Sequence, residues 1–338
     1  MNKKTVQTLE DIARLANVST STVSRALNNS PLLNQETIER IQAIARKHNY
    51  RINASARNLR LRQSHTIAFV APTNYPEFFS SGEDLFGLEV LSSVGNGLHA
   101  LGYDLLIAHI DPNDTDWAQS YLDSGRVDGF ILMTANHNLS IINTLVDAGA
   151  PFIGWGVPIS NFNYCSVTGD NITGGRLATE HLIHIGRKRI AFLGGPNDTL
   201  TVQFRFKGYE DSLQVAGRSA DPNLIAYGDY TYESGSAAMQ HLLEQSPSLD
   251  AVFVNSDLMA IAAINVIQNS GKRVPEDIAV VGYDDLSIAT YNNLPLTTIR
   301  QDLPLIGKLL AQNLIQYIQT GEVTNVTTPV ELVIRKSA

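Results

Sequence analysis

Cysteine, long apolar runs and the signatures of targeting are scarce or missing in this chain of 338 residues. The single cysteine, Cys165, cannot form a disulfide within the chain, and nothing near it suggests a metal cluster. No unbroken apolar run is long enough to span a bilayer. The first residues, MNKKTVQ, lack the apolar segment and cleavage site of a secretory signal peptide. We therefore expect a globular cytoplasmic protein that binds no membrane, metal or cofactor.

Common catalytic motifs are missing as well. The sequence contains no G-x-G-x-x-G after a predicted strand, no P-loop, no G-x-S-x-G and no H-E-x-x-H. No nucleophile stands in a pattern that would pair it with a base. These absences favour a binding protein over an enzyme.

Positive charge is scarce in most of the chain and concentrated at its start. Residues 1–63 contain 11 Lys and Arg against 4 Asp and Glu, a net charge of +7, whereas the remaining residues contain 14 against 29, a net charge of −15. A basic segment on an acidic body is typical of a protein whose basic part binds a polyanion. A basic surface that only meets water has the same composition, so charge alone leaves both interpretations open.

Residues 8–28 predict two short helices joined by a tight turn. Apolar residues recur at helical spacing over residues 9–16, directly after Thr8, a candidate N-cap. Asn17 tolerates a left-handed backbone, and Ser19 can cap the second helix. This is the pattern of a helix-turn-helix. The alternative is an ordinary helical hairpin whose Ser and Thr side chains are solvated.

The second of these helices carries a surface suited to DNA. With Val23 and Leu27 facing inward, its outward residues are Thr20, Ser21, Thr22, Ser24, Arg25 and Asn28. Short hydroxyl side chains let a backbone approach phosphates, and an arginine can donate to O6 and N7 of guanine.

Two further helical segments follow. Residues 35–48 predict an amphipathic helix whose inward residues are Ile38, Ile41, Ile44 and Ala45. Residues 54–62, with Asn53 as a candidate N-cap, can also form a helix, but all its charges are positive and it has little to bury. A helix this short is marginal alone in water. We expect it to fold only against a partner, and DNA is such a partner.

From Thr66 onward the pattern alternates between strand and helix, which predicts parallel sheets covered by helices on both faces. The expected strands are 66–71, 104–110, 128–133, 151–155, 189–194, 223–227, 250–254 and 278–283. The expected helices are 85–101, 115–124, 139–148, 173–186, 206–216, 232–245, 257–270 and 304–320. The Pro-, Gly- and Asn-rich segment 154–163 is interpreted as a crossover between two similar lobes, with a ligand beyond the carboxyl ends of the strands.

Four motifs between residue 8 and about residue 334 agree with one known family. They are Thr8-Leu9-x-Asp11-Ile12-Ala13 with Val18-Ser19-x-x-Thr22-Val23-Ser24-Arg25-x-Leu27-Asn28; Gly194-Gly195-Pro196 with Arg205-x-x-Gly208-Tyr209; Val280-Val281-Gly282-Tyr283-Asp284-Asp285; and Pro295-Leu296-Thr297-Thr298-Ile299. Together they resemble the lactose/galactose repressor (LacI/GalR) family of bacterial transcription regulators.

The resemblance implies an α/β fold with an N-terminal helix-turn-helix head of three helices and a hinge helix. Two lobes of doubly wound parallel sheet, similar to a periplasmic sugar-binding protein, would follow. The implied domains are the head (1–52), the hinge (53–64) and an effector-binding and dimerisation domain (65–338). Its first lobe would span about 65–160 and 291–325, and its second about 161–290 and 326–338.

The resemblance also assigns DNA contacts. Residues that match positions reading base edges are Thr20, Ser21 and Arg25; those at or near phosphate-facing positions are Thr8, Ser19, Thr22, Ser24 and Asn28. Asn53 would cap the hinge helix, and Leu59 matches a leucine that the family wedges into the minor groove, although it could instead cover its own lobe. Ile52 stands where the family usually has proline, so this hinge is less preorganised.

Effector contacts are implied in both lobes. The candidate residues are Phe86, Glu89, Trp155, Thr199, Thr201, Arg205, Asp257 and Asp284, with His137 as a weaker candidate. Five of them have a structural alternative: Asp257 and Asp284 could cap helices, Arg205 could pair with a carboxylate, and Phe86 and Trp155 could be core. Sugars are recognised by planar hydrogen-bonding side chains and an aromatic face.

Two departures from the family pattern affect this expected pocket. Ser256-Asp257 stands where many relatives carry Asn-Asp, and Val157 stands where others have an arginine. The usual asparagine contact is therefore in doubt, and the charge or size of the ligand can differ from that of relatives.

The function implied is a sequence-specific repressor that binds a palindromic operator as a homodimer and responds to a sugar-like effector. An enzyme on a doubly wound fold and a transport-type binding protein are the alternatives. The chain ends at Ala338 without a leucine-heptad extension, so we expect a dimer and not a tetramer.

Overall fold

A computed structural model describes residues 8–27, 29–50, 63–72, 84–133, 139–291 and 293–338. The chain divides into two compact units, Met1–Ser64 and His65–Ala338, called here the head and the body. Several predictions fall outside the described residues: those on Asn28, Ile52, Asn53, Leu59 and His137, and the hinge helix over 54–62.

The head contains the predicted helix-turn-helix. Its helices are α1 (Leu9–Ala16), α2 (Thr20–Leu27) and α3 (Gln35–Lys47). At the start of α1 the Thr8 hydroxyl accepts from the backbone N–H of Asp11, while the Asp11 carboxylate accepts from the N–H of Thr8. This reciprocal capping box satisfies two of the unpaired amides at the helix start. Asn17 ends α1 in the left-handed conformation, at a φ of 54°.

The head core differs from the predicted one at three residues. Ile12, Val23 and Ile41 are fully buried, but Leu15 is 49% exposed. Leu27 is only half-buried, as is Ile44, and Ala26 is buried in their place. Ala26 faces inward because it lies one turn after Val23 on the same face of α2.

The strands of the body are β1 (Thr66–Pro72), β2 (Asp104–Ile110), β3 (Gly129–Met133), β4 (Phe152–Trp155), β5 (Cys165–Gly169), β6 (Ile190–Gly194), β7 (Ile225–Tyr227), β8 (Ala251–Val254), β9 (Ala279–Asp284), β10 (Thr297–Gln301), β11 (Asn325–Thr328) and β12 (Val330–Val333). Its helices are α4 (Leu85–Ala100), α5 (Trp117–Asp123), α6 (Leu139–Asp147), α7 (Asn171–His184), α8 (Leu200–Val215), α9 (Tyr232–Gln245), α10 (Asp257–Asn269), α11 (Ser287–Tyr291) and α12 (Leu303–Thr320).

These strands form two sheets, and each sheet is the centre of one lobe. The first sheet has the order β11-β5-β4-β3-β1-β2, and the second has the order β12-β10-β9-β8-β6-β7. Neighbouring strands are parallel except for β12, which runs antiparallel to β10. The expected α/β architecture with two parallel-sheet lobes is therefore present.

The predicted lobe boundaries are wrong in three places. Segment 154–163 is not a crossover, because it joins β4 to β5 within the first sheet. The chain changes sheets after β5, after β10 and between β11 and β12. Accordingly β5 and β11 belong to the first lobe and β10 to the second, opposite to the expected division.

Individual elements also differ from the expected ones. The sequence reading places no strand at β5, β10, β11 or β12, since Thr, Ser and Asn interrupt the apolar residues of the first three and Glu331 interrupts those of β12. Helix α8 begins at residue 200 and not at 206, because the Thr199 side chain caps it by accepting from the N–H of Val202. Thr201 consequently lies in the first turn of a helix and not in a loop.

Alternate residues of each strand serve opposite faces of the sheet. In β1, Ile67 and Phe69 contact the layer that contains α4 and α12, whereas Ala68 and Val70 contact the layer that contains α5 and α6. In β6, Phe192 faces α7 and α8, and Leu193 faces α9 and α10. Full burial of each large side chain contributes roughly 1.5–3 kcal/mol. Both sheets are therefore packed against helices on both faces, and this packing fixes the positions of their strand ends.

Candidate effector cavity and DNA-binding surface

A cavity of about 180 Å³ lies between the two lobes. The last residues of four strands line it: Met133, Trp155, Asp284 and Gln301. Carboxyl ends of parallel strands meet at one edge of a sheet, which is where ligands bind in open α/β folds. The other lining residues are Asp84, Leu85, Phe86, Gly156, Thr168, Asn171, Thr201, Arg205, Asp229, Tyr230, Thr231, Asn255, Ser256, Leu258 and Leu286.

The first lobe contributes an aromatic wall. Phe86, in the first turn of α4, and Trp155, at the end of β4, have ring centroids 6.3 Å apart and ring planes inclined by 38°. Trp155 is 6% exposed, and it lines the cavity. Aromatic faces of this kind stack on the apolar faces of sugar rings.

The second lobe contributes a rigid arginine. Arg205 donates from Nε to Oδ1 of Asn171 at 2.9 Å and from Nη1 to the carbonyl of Asn255 at 2.7 Å. Its guanidinium carbon lies 3.5 Å from the ring centroid of Tyr283. Two hydrogen bonds and a cation–π contact fix the plane of the guanidinium, so little entropy remains to be lost when a ligand binds.

Asp284 is the acidic centre of the cavity. It is 5% exposed, its Oδ1 accepts from Nε2 of Gln301 at 2.8 Å, and its backbone has a φ of 114°. Burial raises the pKa of Asp284 to about 7, against the opposing effects of Arg205 and Gln301. A left-handed backbone on a non-glycine residue at a cavity is a strained conformation of the kind found at functional sites.

Five of the eight predicted effector residues line the cavity: Phe86, Trp155, Thr201, Arg205 and Asp284. They come from both lobes and from elements far apart in the sequence. Whether they contact a ligand stays a prediction.

The other three predicted residues are elsewhere. Asp257 is fully buried and accepts from the N–H of Leu286 and the hydroxyl of Thr298. Thr199 caps α8. Each of these side chains has a contact within the protein, and neither residue lines the cavity, so their effector roles stay predictions.

Glu89 lies outside the cavity lining and bridges the lobes. Its Oε1 accepts from the N–H of Ser287, at the start of α11, at 3.1 Å. This bond joins α4 of the first lobe to the segment that follows β9 of the second. Glu89 is therefore a contact between lobes in this structure and not part of the cavity wall.

Sequence reasoning missed several polar residues of the cavity. Asn171 follows β5 by two residues, and Gln301 ends β10. Their position at strand ends is the signal that would have found them, but neither strand was predicted. Asn255 follows β8, which was predicted, and was overlooked in favour of its neighbours Ser256 and Asp257.

The head presents the predicted DNA-binding residues at or near its surface. Thr8, Ser19, Thr20, Ser21 and Arg25 are exposed, and Thr22 and Ser24 are half-buried. The Ser19 hydroxyl accepts from the N–H of Thr22 at 3.1 Å and therefore caps α2. Whether these residues contact phosphates or base edges stays a prediction.

Two sequence comparisons decide the family. The family described as "Periplasmic binding proteins and sugar binding domain of LacI family" matches residues 65–336, and "Bacterial regulatory proteins, lacI family" matches residues 8–53. The chain belongs to the LacI family. LacI-family members are DNA-binding transcription regulators, so the resemblance stated from the motifs is confirmed. No helix in the described part of this LacI-family chain is long and apolar enough to cross a membrane.

Full-length relatives of the LacI family support this assignment. The chain is 38% identical to the HTH-type transcriptional regulator CelR of Thermobifida fusca, over 99% of this chain and 97% of CelR. It is 33% identical to the HTH-type transcriptional repressor PurR of Aliivibrio fischeri, over 92% of each chain. These relatives are transcription regulators and not enzymes.

Solved structures give the same result. A complex of the transcriptional regulator CelR with cellobiose has a TM-score of 0.75 and 35% identity, covering 98% of this chain and 99% of that one. The lac repressor dimer bound to operator and the anti-inducer ONPF has a TM-score of 0.82 and 28% identity, covering 98% of both chains.

Proposed function

We propose that this protein is a homodimeric transcriptional repressor whose affinity for a palindromic operator is controlled by a neutral disaccharide of the cellobiose type. The cavity between the lobes carries the proposal, because it combines aromatic rings from one lobe with planar hydrogen-bonding side chains from the other. The solved complex of a CelR regulator with cellobiose directs the choice of sugar. Within the site, Phe86 and Trp155 would stack on the sugar, and Arg205 and Asp284 would bind its hydroxyls.

The charges of the cavity favour a neutral ligand. Among the described residues, three carboxyl groups line it, Asp84, Asp229 and Asp284, against one cationic side chain, Arg205. Although burial acts to raise the pKa of Asp229, hydrogen bonds from Ser234 and Thr231 lower it below its ordinary value. A phosphorylated sugar or another anion would bring like charge against these groups, with no second cation in the described part of the cavity to compensate.

The head supports operator binding by a dimer. One helix-turn-helix makes few base contacts, and two heads related by a two-fold axis contact two half-sites of a palindrome. Thr20, Ser21 and Arg25 would contact base edges, and Thr8, Ser19, Thr22 and Ser24 would lie near phosphates. Asn28, Asn53 and Leu59 remain sequence-based proposals for the same interface. Because its target is chromosomal DNA, we place the protein in the cytoplasm.

Titration calorimetry with cellobiose tests the effector assignment. We expect saturable binding of one molecule per chain, weaker binding of maltose, and no binding of glucose 6-phosphate. Binding of glucose 6-phosphate without binding of cellobiose would replace the assignment of a neutral sugar.

A gel-shift assay tests the operator assignment. Duplexes enriched from a random pool by the full-length protein should be palindromic, and cellobiose should change the affinity for them. Enrichment of no sequence at low salt, with or without cellobiose, would overturn the repressor proposal.

A further inference from the structure

Asn255 has an amide that the protein leaves unpaired. The side chain is fully buried, yet neither Oδ1 nor Nδ2 has a hydrogen-bond partner among the described residues. Its backbone is well anchored, since its N–H donates to the carbonyl of Leu193 and its carbonyl accepts from Arg205. The residue lines the cavity between the lobes. Buried amides are nearly always paired, so an unpaired one at a cavity requires an explanation.

Asn171 provides a comparison within the same cavity. It is also buried and also lines the cavity, but its amide is fully used by the protein. Nδ2 donates to the carbonyl of Gly169 and the hydroxyl of Thr168, and Oδ1 accepts from Nε of Arg205. Asn171 therefore positions Arg205. Two residues of one type, at similar burial, differ in whether the protein completes their hydrogen bonds.

We propose that Asn255 is a ligand-binding residue that determines effector specificity, through a hydroxyl that donates to Oδ1 and a neighbouring hydroxyl that accepts from Nδ2. This rests on the proposed function, because it names a contact for the same sugar. A pair of adjacent hydroxyls on a sugar ring has the donor and acceptor spacing that one planar amide can bridge.

The proposal predicts effects of opposite sign on stability and on binding. A buried polar group without a partner destabilises the free protein, and an apolar side chain of similar shape removes that penalty. The same replacement removes two hydrogen bonds from the complex. Asn255→Leu should therefore stabilise the free body and weaken ligand binding, whereas loss of a purely structural asparagine would destabilise the body.

The experiment measures unfolding and cellobiose affinity of the full-length protein and of two variants, Asn255→Leu and Asn255→Ala. Both tryptophans of the chain, Trp117 and Trp155, lie in the body, so tryptophan fluorescence follows its unfolding and not that of the head. We expect the melting temperature of the free protein to rise by about 2 °C. We expect the affinity for cellobiose to fall by about tenfold. If the leucine side chain does not fit this site, Asn255→Ala still removes the unpaired amide without adding volume.

Asn171→Leu is the matched control. Because it deprives Nε of Arg205 of its partner, we expect its melting temperature to fall. If both Asn255 variants are also less stable than the parent, Asn255 is structural and the proposal is wrong. This stability result does not require that cellobiose bind, so failure of the sugar assignment and failure of the Asn255 assignment are distinguishable.

Monodeoxy cellobioses test specificity directly. Analogues lacking a hydroxyl bound by Asn255 should bind the parent more weakly but bind Asn255→Ala as well as cellobiose does, as in a double-mutant cycle. Equal discrimination by parent and variant at every hydroxyl would contradict the proposal.

Discussion

Asp284 makes the free body sensitive to pH. In the unfolded chain the carboxyl group of Asp284 has its ordinary pKa of about 4, whereas in the folded protein its pKa is about 7. Between these values the folded state holds more protons than the unfolded state, so the stability that this group contributes is greatest below pH 4 and is lost as the pH rises towards 7. Asp257 acts in the same direction, since burial and the charge of Asp284 raise its pKa as well.

We therefore expect Asp284→Asn to stabilise the free protein more at pH 8 than at pH 5, by about 1–2 kcal/mol in the difference. Asparagine keeps an oxygen that can accept from Gln301 and removes the buried charge. Urea unfolding followed by tryptophan fluorescence at both pH values measures this difference. An equal effect at the two pH values would show that the carboxyl is not perturbed. The same variant should bind cellobiose more weakly.

Arg25 is expected to supply sequence preference and not merely charge. It is exposed on α2 and forms no ion pair with any described residue. Arg25→Ala should reduce operator affinity by about 1–3 kcal/mol, with a smaller loss on unrelated duplex DNA. Fluorescence anisotropy with both duplexes measures the two losses. An equal loss on both would assign Arg25 to phosphates.

Two glycines set the distance between pairs of packed helices in the body. A Cβ on Gly175 of α7 would lie 2.1 Å from the backbone oxygen of Arg205 in α8, and a Cβ on Gly307 of α12 would lie 2.3 Å from the backbone carbon of Ser93 in α4. Neither contact can be relieved by rotating a side chain, because the neighbours are backbone atoms. The helices must separate.

Gly175→Ala and Gly307→Ala should each destabilise the body by about 1–3 kcal/mol, since overpacking outweighs the gain in helix propensity of about 1 kcal/mol. Only the first moves the backbone that carries Arg205, so it alone should also weaken cellobiose binding markedly. Urea unfolding and titration calorimetry on both variants separate the two effects. If both variants lost affinity for cellobiose to a similar degree, the loss would follow from the lower stability of the body and not from displacement of Arg205.

The elements predicted from the sequence were those with apolar periodicity, and the missed ones explain the missed site residues. Cys165–Gly169 and Thr297–Gln301 are buried strands rich in Ser and Thr. Their hydroxyls are satisfied by partners distant in sequence, such as Asn325 for Ser166 and Asp257 for Thr298. Periodicity cannot detect this pairing, so Asn171 and Gln301 at the strand ends were also missed.

The division of the whole chain into head and body was visible in the sequence through charge and motif, whereas the allocation of strands to lobes was not. The steps from one lobe to the other are short: residue 170 alone separates β5 from α7, residue 302 separates β10 from α12, and residue 329 separates β11 from β12. Such short connections leave no composition signal. The sequence pattern therefore does not predict which strands meet at the lobe interface that forms the cavity.

Because the head and the body are separate compact units, their two binding activities should be separable by mutation. Trp155→Ala removes an aromatic wall of the cavity, and Arg25→Ala removes the proposed base contact on α2. We expect Trp155→Ala to keep operator affinity in the absence of sugar but to lose the response to cellobiose. We expect Arg25→Ala to lose operator affinity and to bind cellobiose as the parent does.

Measured together, these affinities also define the coupling between the two sites. The factor by which cellobiose changes the affinity of the parent for operator must equal the factor by which operator changes its affinity for cellobiose. Anisotropy titrations of operator with and without saturating cellobiose, and calorimetry with and without operator, give the two factors independently. A factor of one in both titrations, with both ligands bound, would mean that the sugar occupies the body without controlling the head.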